Sequence, residues 1–352
     1  MSSTAASRPR AAGGAAPRAA WLAALAAAAL GAVGGACGQS PGGAGPFAGG
    51  GGLPPPNPAL PDARAALRVR CLPEGAAPPL EAPGDEASLG ELEAVLEGSP
   101  LELANVTAPA PHTHYCVERA DGNWTSFIAQ PPAGNTSLVF WGGGLVESDA
   151  YAPLMRAAVQ GFGVRVAHLL DSPGGIPQPA VEAARALIDR ERTGGEIGQW
   201  IFAGHSMGSV MATKAALSDD LGAAPGEVAL AFLGGYPAPD DQPALAAAVD
   251  AGNLTVAFVT ASEDGIINAT NLAAAEAALR GEDESGAETI SFEIPGGNHA
   301  GFGNYRVDFE LRPDGQASIP PEEQQDAALE ALAVLGLIPG RPGMAGADFT
   351  GR

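Results

Sequence analysis

Ser206 is the residue whose surroundings most suggest chemistry. It stands at the centre of Gly204-His205-Ser206-Met207-Gly208, after the apolar run Trp200 to Ala203 and before a helix-like stretch through Met211, Ala212 and Ala215. A strand, a sharp turn and a helix with a serine at the apex form a nucleophile elbow. Both glycines have a physical role, because side chains two residues either side of the serine would collide with the neighbouring strand and helix. The turn lifts the hydroxyl clear of the sheet. It also aims the Met207 N–H, at the helix N-terminus, to where an oxyanion would form. In a chain with 49 glycines such a pattern also arises by chance, so its meaning depends on partners elsewhere.

A nucleophilic serine needs a base to take its proton and a third group to orient that base. Active sites of open α/β sheets lie at the carboxyl ends of the strands, so the partners belong just past each strand-like run. After Leu254 to Thr260 comes Ala261-Ser262-Glu263-Asp264-Gly265. Asp264, just before a turn glycine, is the expected acid, with Glu263 as the alternative. After Thr289 to Ile294 comes Pro295-Gly296-Gly297-Asn298-His299-Ala300-Gly301-Phe302, a glycine-rich loop able to bring His299 over Ser206 as general base and then general acid. After Ser137 to Trp141 come Gly142, Gly143 and Gly144. The backbone N–H of Gly143 or Gly144 can approach a ligand closely and would supply a second oxyanion donor beside Met207. The chain order Ser206, Asp264, His299 is the order of this constellation in α/β sheets. His205 is expected to pack beside the elbow, and His168 to be a strand residue.

The elements that must position these groups follow from periodicity. Continuously apolar runs at Ser137–Trp141, Val164–Leu170, Trp200–Ala203, Val228–Leu233, Leu254–Thr260 and Thr289–Ile294 alternate with helix-like stretches. Those stretches cover Asp149–Gln160, Pro179–Arg192 with its proline at the first position, Asn271–Leu279 and Pro321–Leu337. Strands of this kind predict a mostly parallel sheet with helices on both faces, an α/β fold. Tyr115–Arg119 and Trp124–Ala129 flank Asp121-Gly122-Asn123, a hairpin that supplies an antiparallel edge. The connection from Gly234 to Asn253 is too short for a large lid, so the site is expected to be open. Nearer the N-terminus, Ala63–Cys71 reads as containing a short strand and Ser88–Glu97 as a helix with a Ser88/Glu91 capping box. His112 and His114 would share one face of a strand, but no further ligands lie nearby, and they read as surface histidines. No phosphate-binding loop, dinucleotide fingerprint or metal-ligand cluster appears, so no cofactor is expected.

The formal net charge of −22 argues against non-specific nucleic-acid binding and against electrostatic attachment to an anionic membrane. Residues 1–36 have the basic, apolar and small-residue order of a signal peptide, with an organelle transit peptide as the alternative. Cleavage after Ala36 would expose Cys37, weakly resembling a lipoprotein tether. Residues 37–62 read as a flexible Gly/Pro linker, residues 63–110 as a poorly defined extension, residues 111–340 as the α/β domain and residues 341–352 as a tail. Cys71 and Cys116 form an even pair open to disulfide formation. Sequons at Asn105, Asn123, Asn135, Asn253 and Asn268 fit a glycosylated secretory protein. The expected location is therefore secreted or extracytoplasmic.

The segments FWGGGLVESDAYAPL, FAGHSMGSVMA, ASEDGI, GGNHAGFGNY and ASIPPEEQQ together resemble the α/β-hydrolase superfamily. Within it they look most like the small α/β hydrolase family five, related in fold to dienelactone hydrolases. The resemblance spans about Ser137 to Leu337. It implies Ser206 as nucleophile, Asp264 and His299 as its partners, and oxyanion donors around Gly143 and Met207. It also implies a serine hydrolase working through an acyl-enzyme, but no substrate; the short Gly234–Asn253 connection points to small or exposed carboxylic esters, or thioesters. The alternatives are an acyltransferase with the same triad and a non-catalytic binding module on the same fold. The implied partner is a small-molecule ester.

Overall fold

A computed structural model describes residues 55–67, 114–120, 124–130, 134–193, 197–280, 289–307 and 313–340. The expected leader, Cys37, Cys71, the Ser88–Glu97 helix, His112, the sequons at Asn105 and Asn123 and the tail lie outside these residues. All described residues belong to one unit, Gly52–Arg352.

The framework is an eight-stranded sheet in the order β1-β2-β4-β3-β5-β6-β7-β8. The strands are β1 (His114–Ala120), β2 (Trp124–Gln130), β3 (Thr136–Trp141), β4 (Val166–Leu170), β5 (Gln199–His205), β6 (Val228–Leu233), β7 (Leu254–Ala261) and β8 (Thr289–Ile294). Strands β3 to β8 pair in parallel, while the β1–β2 hairpin forms the antiparallel edge, with β2 running against β4. The helices are α1 (Pro61–Ala65), α2 (Ala152–Gly161), α3 (Val181–Thr193), α4 (Met207–Ala216), α5 (Gln242–Asp250), α6 (Ala269–Leu279) and α7 (Pro321–Val334).

Every residue of β3, β4 and β6 is buried, which is why their sequences are continuously apolar rather than alternating. Successive side chains still point to opposite faces. Leu138, Phe140, Ile201, Ala203, Ala231 and Val259 join Leu154 and Met155 of α2 and Leu329 and Leu332 of α7 in one core. Phe202, Phe232 and Phe258, with Trp141 and Trp200, lie on the alternate positions and are likewise fully buried. Each such side chain contributes about 1.5–3 kcal/mol through removal from water.

Two local expectations change. Helix α3 begins at Val181 rather than Pro179, because Ala180 has φ 49°; a left-handed residue cannot continue the helix back to the proline. Pro61–Ala65 is a helix, with Ala63 and Ala66 buried, while residues 68–71 of the stretch expected to contain a short strand lie outside the described residues. The linker expected to run to residue 62 has a built end, since Asn57 and Ala59 form bridges to Val146 and Tyr305. The connection between β6 and β7 carries only α5, and no large lid is present among the described residues.

Cys116 is disulfide-bonded, and its partner lies outside the described residues, where Cys37 and Cys71 both fall. Among the described residues no helix is long and apolar enough to cross a membrane.

His168 is a strand residue, as expected, and is fully buried. Its Nδ1 meets the Ser126 hydroxyl at 2.9 Å, while Nε2 has no hydrogen-bond partner. Burial, helped by the Arg190 charge, holds its pKa well below the ordinary 6.5. The unfolded chain therefore binds this proton at higher pH than the folded chain does. The stability gained from a neutral His168 is present above about pH 6.5 and is lost as pH falls toward the folded value. The thermal midpoint is expected to drop more steeply from about pH 7 to about pH 5 in the wild type than in H168Q; equal slopes, measured by calorimetry, would refute this account.

Candidate active site

The elbow is built by backbone contacts. Ser206 joins β5 to α4 with φ 53° and ψ −120°, a conformation that costs a non-glycine residue about 1–3 kcal/mol and persists only where its surroundings enforce it. They do so closely. A Cβ at Gly204 would strike the main chain of Gly208, and one at Gly208 would strike the carbonyl oxygen of Trp141 and come within 2.6 Å of that of Gly142. The Ser206 N–H donates to Leu233 O on β6 at 3.1 Å, and the Ser209 hydroxyl donates to Gly204 O at 2.8 Å. The first helical N–H groups have no intrahelical acceptor, so the Met207 N–H is presented at the apex.

Beyond β7 and β8, Asp264 and His299 meet. His299 Nδ1 lies 2.8 Å from Asp264 Oδ2, and both side chains are more than nine-tenths buried. Asp264 Oδ1 accepts the N–H groups of Ile266 and Ile267 at 2.9 and 2.8 Å. The carboxylate is thus anchored through one oxygen and orients the imidazole through the other. Glu263 instead keeps its carboxylate on the surface beside the Ser262 hydroxyl. The elbow and the acid are joined by the turn after β6. A Cβ on Gly234 would lie 3.2 Å from Asp264 Oδ2, and one on Gly235 would lie 2.9 Å from the Ser206 carbonyl oxygen. Ser206, Asp264 and His299 therefore gather at the carboxyl ends of β5, β7 and β8.

The glycine loop after β3 is divided in its roles. The N–H of Gly143 donates to the Tyr151 hydroxyl at 2.8 Å. Gly143 is thus already engaged, against the expectation that it serves as an oxyanion donor. Gly144 lies against Met207, and a Cβ there would come 3.0 Å from Met207 Cε. Gly144 and Met207 are the two expected donors that stand side by side next to the elbow.

Several residues escaped the sequence reading. Tyr151 takes the Gly143 N–H and sits 2.8 Å from His205 Nδ1. A phenol that accepts from Gly143 can donate its own proton to His205, which places the imidazole proton on Nε2. His205 is fully buried, its ring centroid 4.5 Å from that of His299. Burial, reinforced by His299, holds its pKa well below the ordinary value, so it stays neutral next to the expected base. Burial also pushes the Tyr151 hydroxyl pKa upward. Asp314 ties the two partner loops together: Oδ1 accepts from Gly265 N–H at 3.0 Å and His299 N–H at 3.3 Å, and Oδ2 from Ala300 N–H at 2.9 Å. Gln324 of α7, fully buried, accepts the Asn298 N–H at 3.0 Å and donates to the Asn298 carbonyl at 2.7 Å. Its primary amide replaces a neighbouring strand for that residue. A Gln in an amphipathic helix signals nothing of this by itself, because the contact spans 26 residues. Among the described residues no group of His, Cys, Asp and Glu side chains is arranged to hold a metal ion.

Residues 137–326 match the model of the alpha/beta hydrolase family. No curated protein matches the chain. Among solved structures, carboxyl esterase 2 from the mycorrhizal fungus Tuber melanosporum is similar at 12% identity and TM-score 0.44, covering 71% of this chain and 96% of that one. Est1E from Butyrivibrio proteoclasticus is similar at 14% identity and TM-score 0.41, covering 64% and 99%. The Pyrococcus furiosus esterase is similar at 9% identity and TM-score 0.42, covering 66% and 98%.

Tyr151→Phe removes both the acceptor for Gly143 N–H and the donor to His205. Leaving these buried groups unpaired is expected to lower stability by about 1–3 kcal/mol in urea unfolding, and no loss would show that neither bond matters. Gly208→Ala forces a Cβ onto backbone that cannot yield, and a loss of at least about 1–3 kcal/mol is expected; a variant as stable as the wild type would disprove the close approach.

Proposed function

The chain belongs to the alpha/beta hydrolase family, and from that premise we propose that it is a serine hydrolase that cleaves small or exposed carboxylic esters. The observation that carries this reading is the 2.8 Å contact between His299 Nδ1 and Asp264 Oδ2, at the same sheet end as a serine held in a strained turn. With Asp264 ionised, Nδ1 of His299 carries the proton of that bond, and Nε2 is left to act as base.

Ser206 Oγ attacks the ester carbonyl carbon while His299 Nε2 takes its proton. The oxyanion receives the N–H of Met207 and that of Gly144, and each such donor is typically worth about 3 kcal/mol in the transition state. His299, now an imidazolium facing Asp264, returns the proton to the leaving alcohol. Water, deprotonated by His299, then attacks the acyl-enzyme and releases the acid. Neutral His205 suits this cycle, because a second positive ring at 4.5 Å from His299 would oppose formation of the imidazolium. The short β6–β7 connection favours short acyl groups over long chains that need an interfacial lid. Thioesters, with the same acyl carbon, fall within the same reading.

An extracytoplasmic location fits the disulfide at Cys116, because such bonds persist in oxidising compartments. The exposed sequon residues Asn135 and Asn253 agree with it.

The test is hydrolysis of a panel of short-chain esters and thioesters, with labelling by a fluorophosphonate probe. The wild type is expected to turn over short acyl esters and to be labelled at Ser206. Ser206→Ala is expected to abolish both, and Asp264→Asn to lower kcat by about 10⁴. A folded wild type that neither labels nor hydrolyses any of the panel would remove the hydrolase assignment.

A further inference from the structure

Residues 56–66 precede the sheet in sequence, yet they lie against the two loops that carry the active-site groups. The Asn57 N–H donates to Leu145 O at 2.6 Å, and Asn57 O accepts from Glu147 N–H at 3.0 Å. These bonds clasp the loop that begins with the three glycines. Three residues on, the Leu60 N–H donates to Asn304 O at 3.0 Å, and Pro58 O accepts from Arg306 N–H at 3.0 Å. These clasp the chain just after His299. One short segment thus bonds, main chain to main chain, with both sides of the site.

The segment is itself anchored. Asn57 is 5% exposed, Ala63 and Ala66 are fully or almost fully buried in the core, and the Tyr115 hydroxyl donates to Ala66 O at 2.9 Å. Glu147 adds a side-chain tie, accepting the Ala59 N–H at 3.0 Å and Arg64 Nη2 at 2.6 Å. Partial burial would raise its pKa, but the Ala59 N–H and the Arg64 charge hold it below the ordinary value. Pro56 packs onto Gly175, whose carbonyl accepts the Leu145 N–H at 2.6 Å.

Leu145 is where this matters. It is a leucine at φ 61°, directly after Gly144, and a residue with a Cβ enters that region only at a cost. Its N–H is held by Gly175 and its carbonyl by Asn57, so the strained turn that aims Gly144 is secured from both sides. A direct bond from Asn304 N–H to Ala150 O at 2.8 Å also links the two loops. The segment adds a second and independent link nearer the glycines.

We propose that residues 56–66 form a positioning strap: their main chain fixes the oxyanion loop relative to the His299 loop, and catalytic turnover depends on it. None of these bonds touches Ser206, Asp264 or His299, so the strap acts through the loops. The inference rests on the serine-hydrolase reading above. It also extends the functional unit back at least to Pro56, inside a stretch whose composition is that of a linker.

The strap acts through backbone N–H groups, so proline substitution in the full chain is the direct probe. Leu60→Pro deletes the N–H given to Asn304, and Asn57→Pro the one given to Leu145. Each is expected to lower kcat on a short acyl ester by about 10- to 100-fold, the scale set by sub-ångström to 1 Å misplacement of reacting groups. KM is expected to stay within about twofold, and fluorophosphonate labelling to slow in parallel with kcat. H168Q, which perturbs the sheet away from these loops, is the control for lost stability and is expected to keep wild-type kcat while folded. Should both proline variants fail to fold, Glu147→Ala and Glu147→Gln decide the matter: the alanine variant lowers kcat, and the glutamine, which still accepts the Ala59 N–H, restores most of it. Folded strap variants with wild-type kcat, or a glutamine no better than the alanine, would overturn the strap while leaving the hydrolase reading intact. An inactive, unlabelled wild type would overturn the hydrolase reading, and the strap with it.

Discussion

The structure depends on one backbone-to-backbone contact. Gly208, in the first turn of α4, lies so close to the carbonyl oxygens of Trp141 and Gly142 that no side chain fits between them. That contact sets the distance between the turn at Ser206 and the glycine loop after β3. It also forces Ser206 into its positive-φ conformation, since the chain must reverse from β5 into a helix that packs on the end of β3. Met207 and Gly144 come side by side as a consequence of that packing. The parallel pairing of β3 with β5, Trp141 opposite Gly204, brings the two loops to the same carboxyl end of the sheet.

Around this contact the site is held together by a set of polar groups. Asp314 bridges the acid loop and the histidine loop, and Gln324 brackets Asn298 through both its amide atoms. Tyr151 and His205 join the glycine loop to the elbow. Each of these groups is buried or partly buried, where an unpaired polar atom costs more than a satisfied one returns. The network therefore has few alternative arrangements, and rigidity around Ser206, Asp264 and His299 follows from it. His205 fits the same pattern: burial keeps it neutral beside the His299 ring.

Much of the fold was legible along the chain because its signals are local. A buried parallel strand announces itself as an unbroken apolar run, and β3, β6 and β8 appear almost at their sequence boundaries. The edge hairpin was readable from the Asp-Gly-Asn sequence between its two strands. Ser206, Asp264 and His299 were candidates because each follows such a run, and strand ends in a parallel sheet converge. What could not be read is equally physical. Helix α3 starts late because of one left-handed alanine, a conformation the residue type does not announce. Residues 56–62 read as linker because prolines disfavour both helix and sheet interiors, and nothing local says that their remaining N–H groups find acceptors on loops some 85 to 245 residues ahead.

The amino-acid sequence by itself determined the type of sheet and the order of its elements, and it singled out Ser206, His299 and the Glu263-Asp264 pair as candidates, because strand periodicity and glycine spacing are short-range properties. Only the tertiary structure decided which acid turns inward, Asp264 rather than Glu263, and which glycine N–H is already taken, Gly143 by Tyr151. It alone showed that Asp314, Gln324 and residues 56–66 hold the loops. Those outcomes depend on hydrogen bonds between residues far apart in the chain, whose partners are chosen by packing and have no local signature.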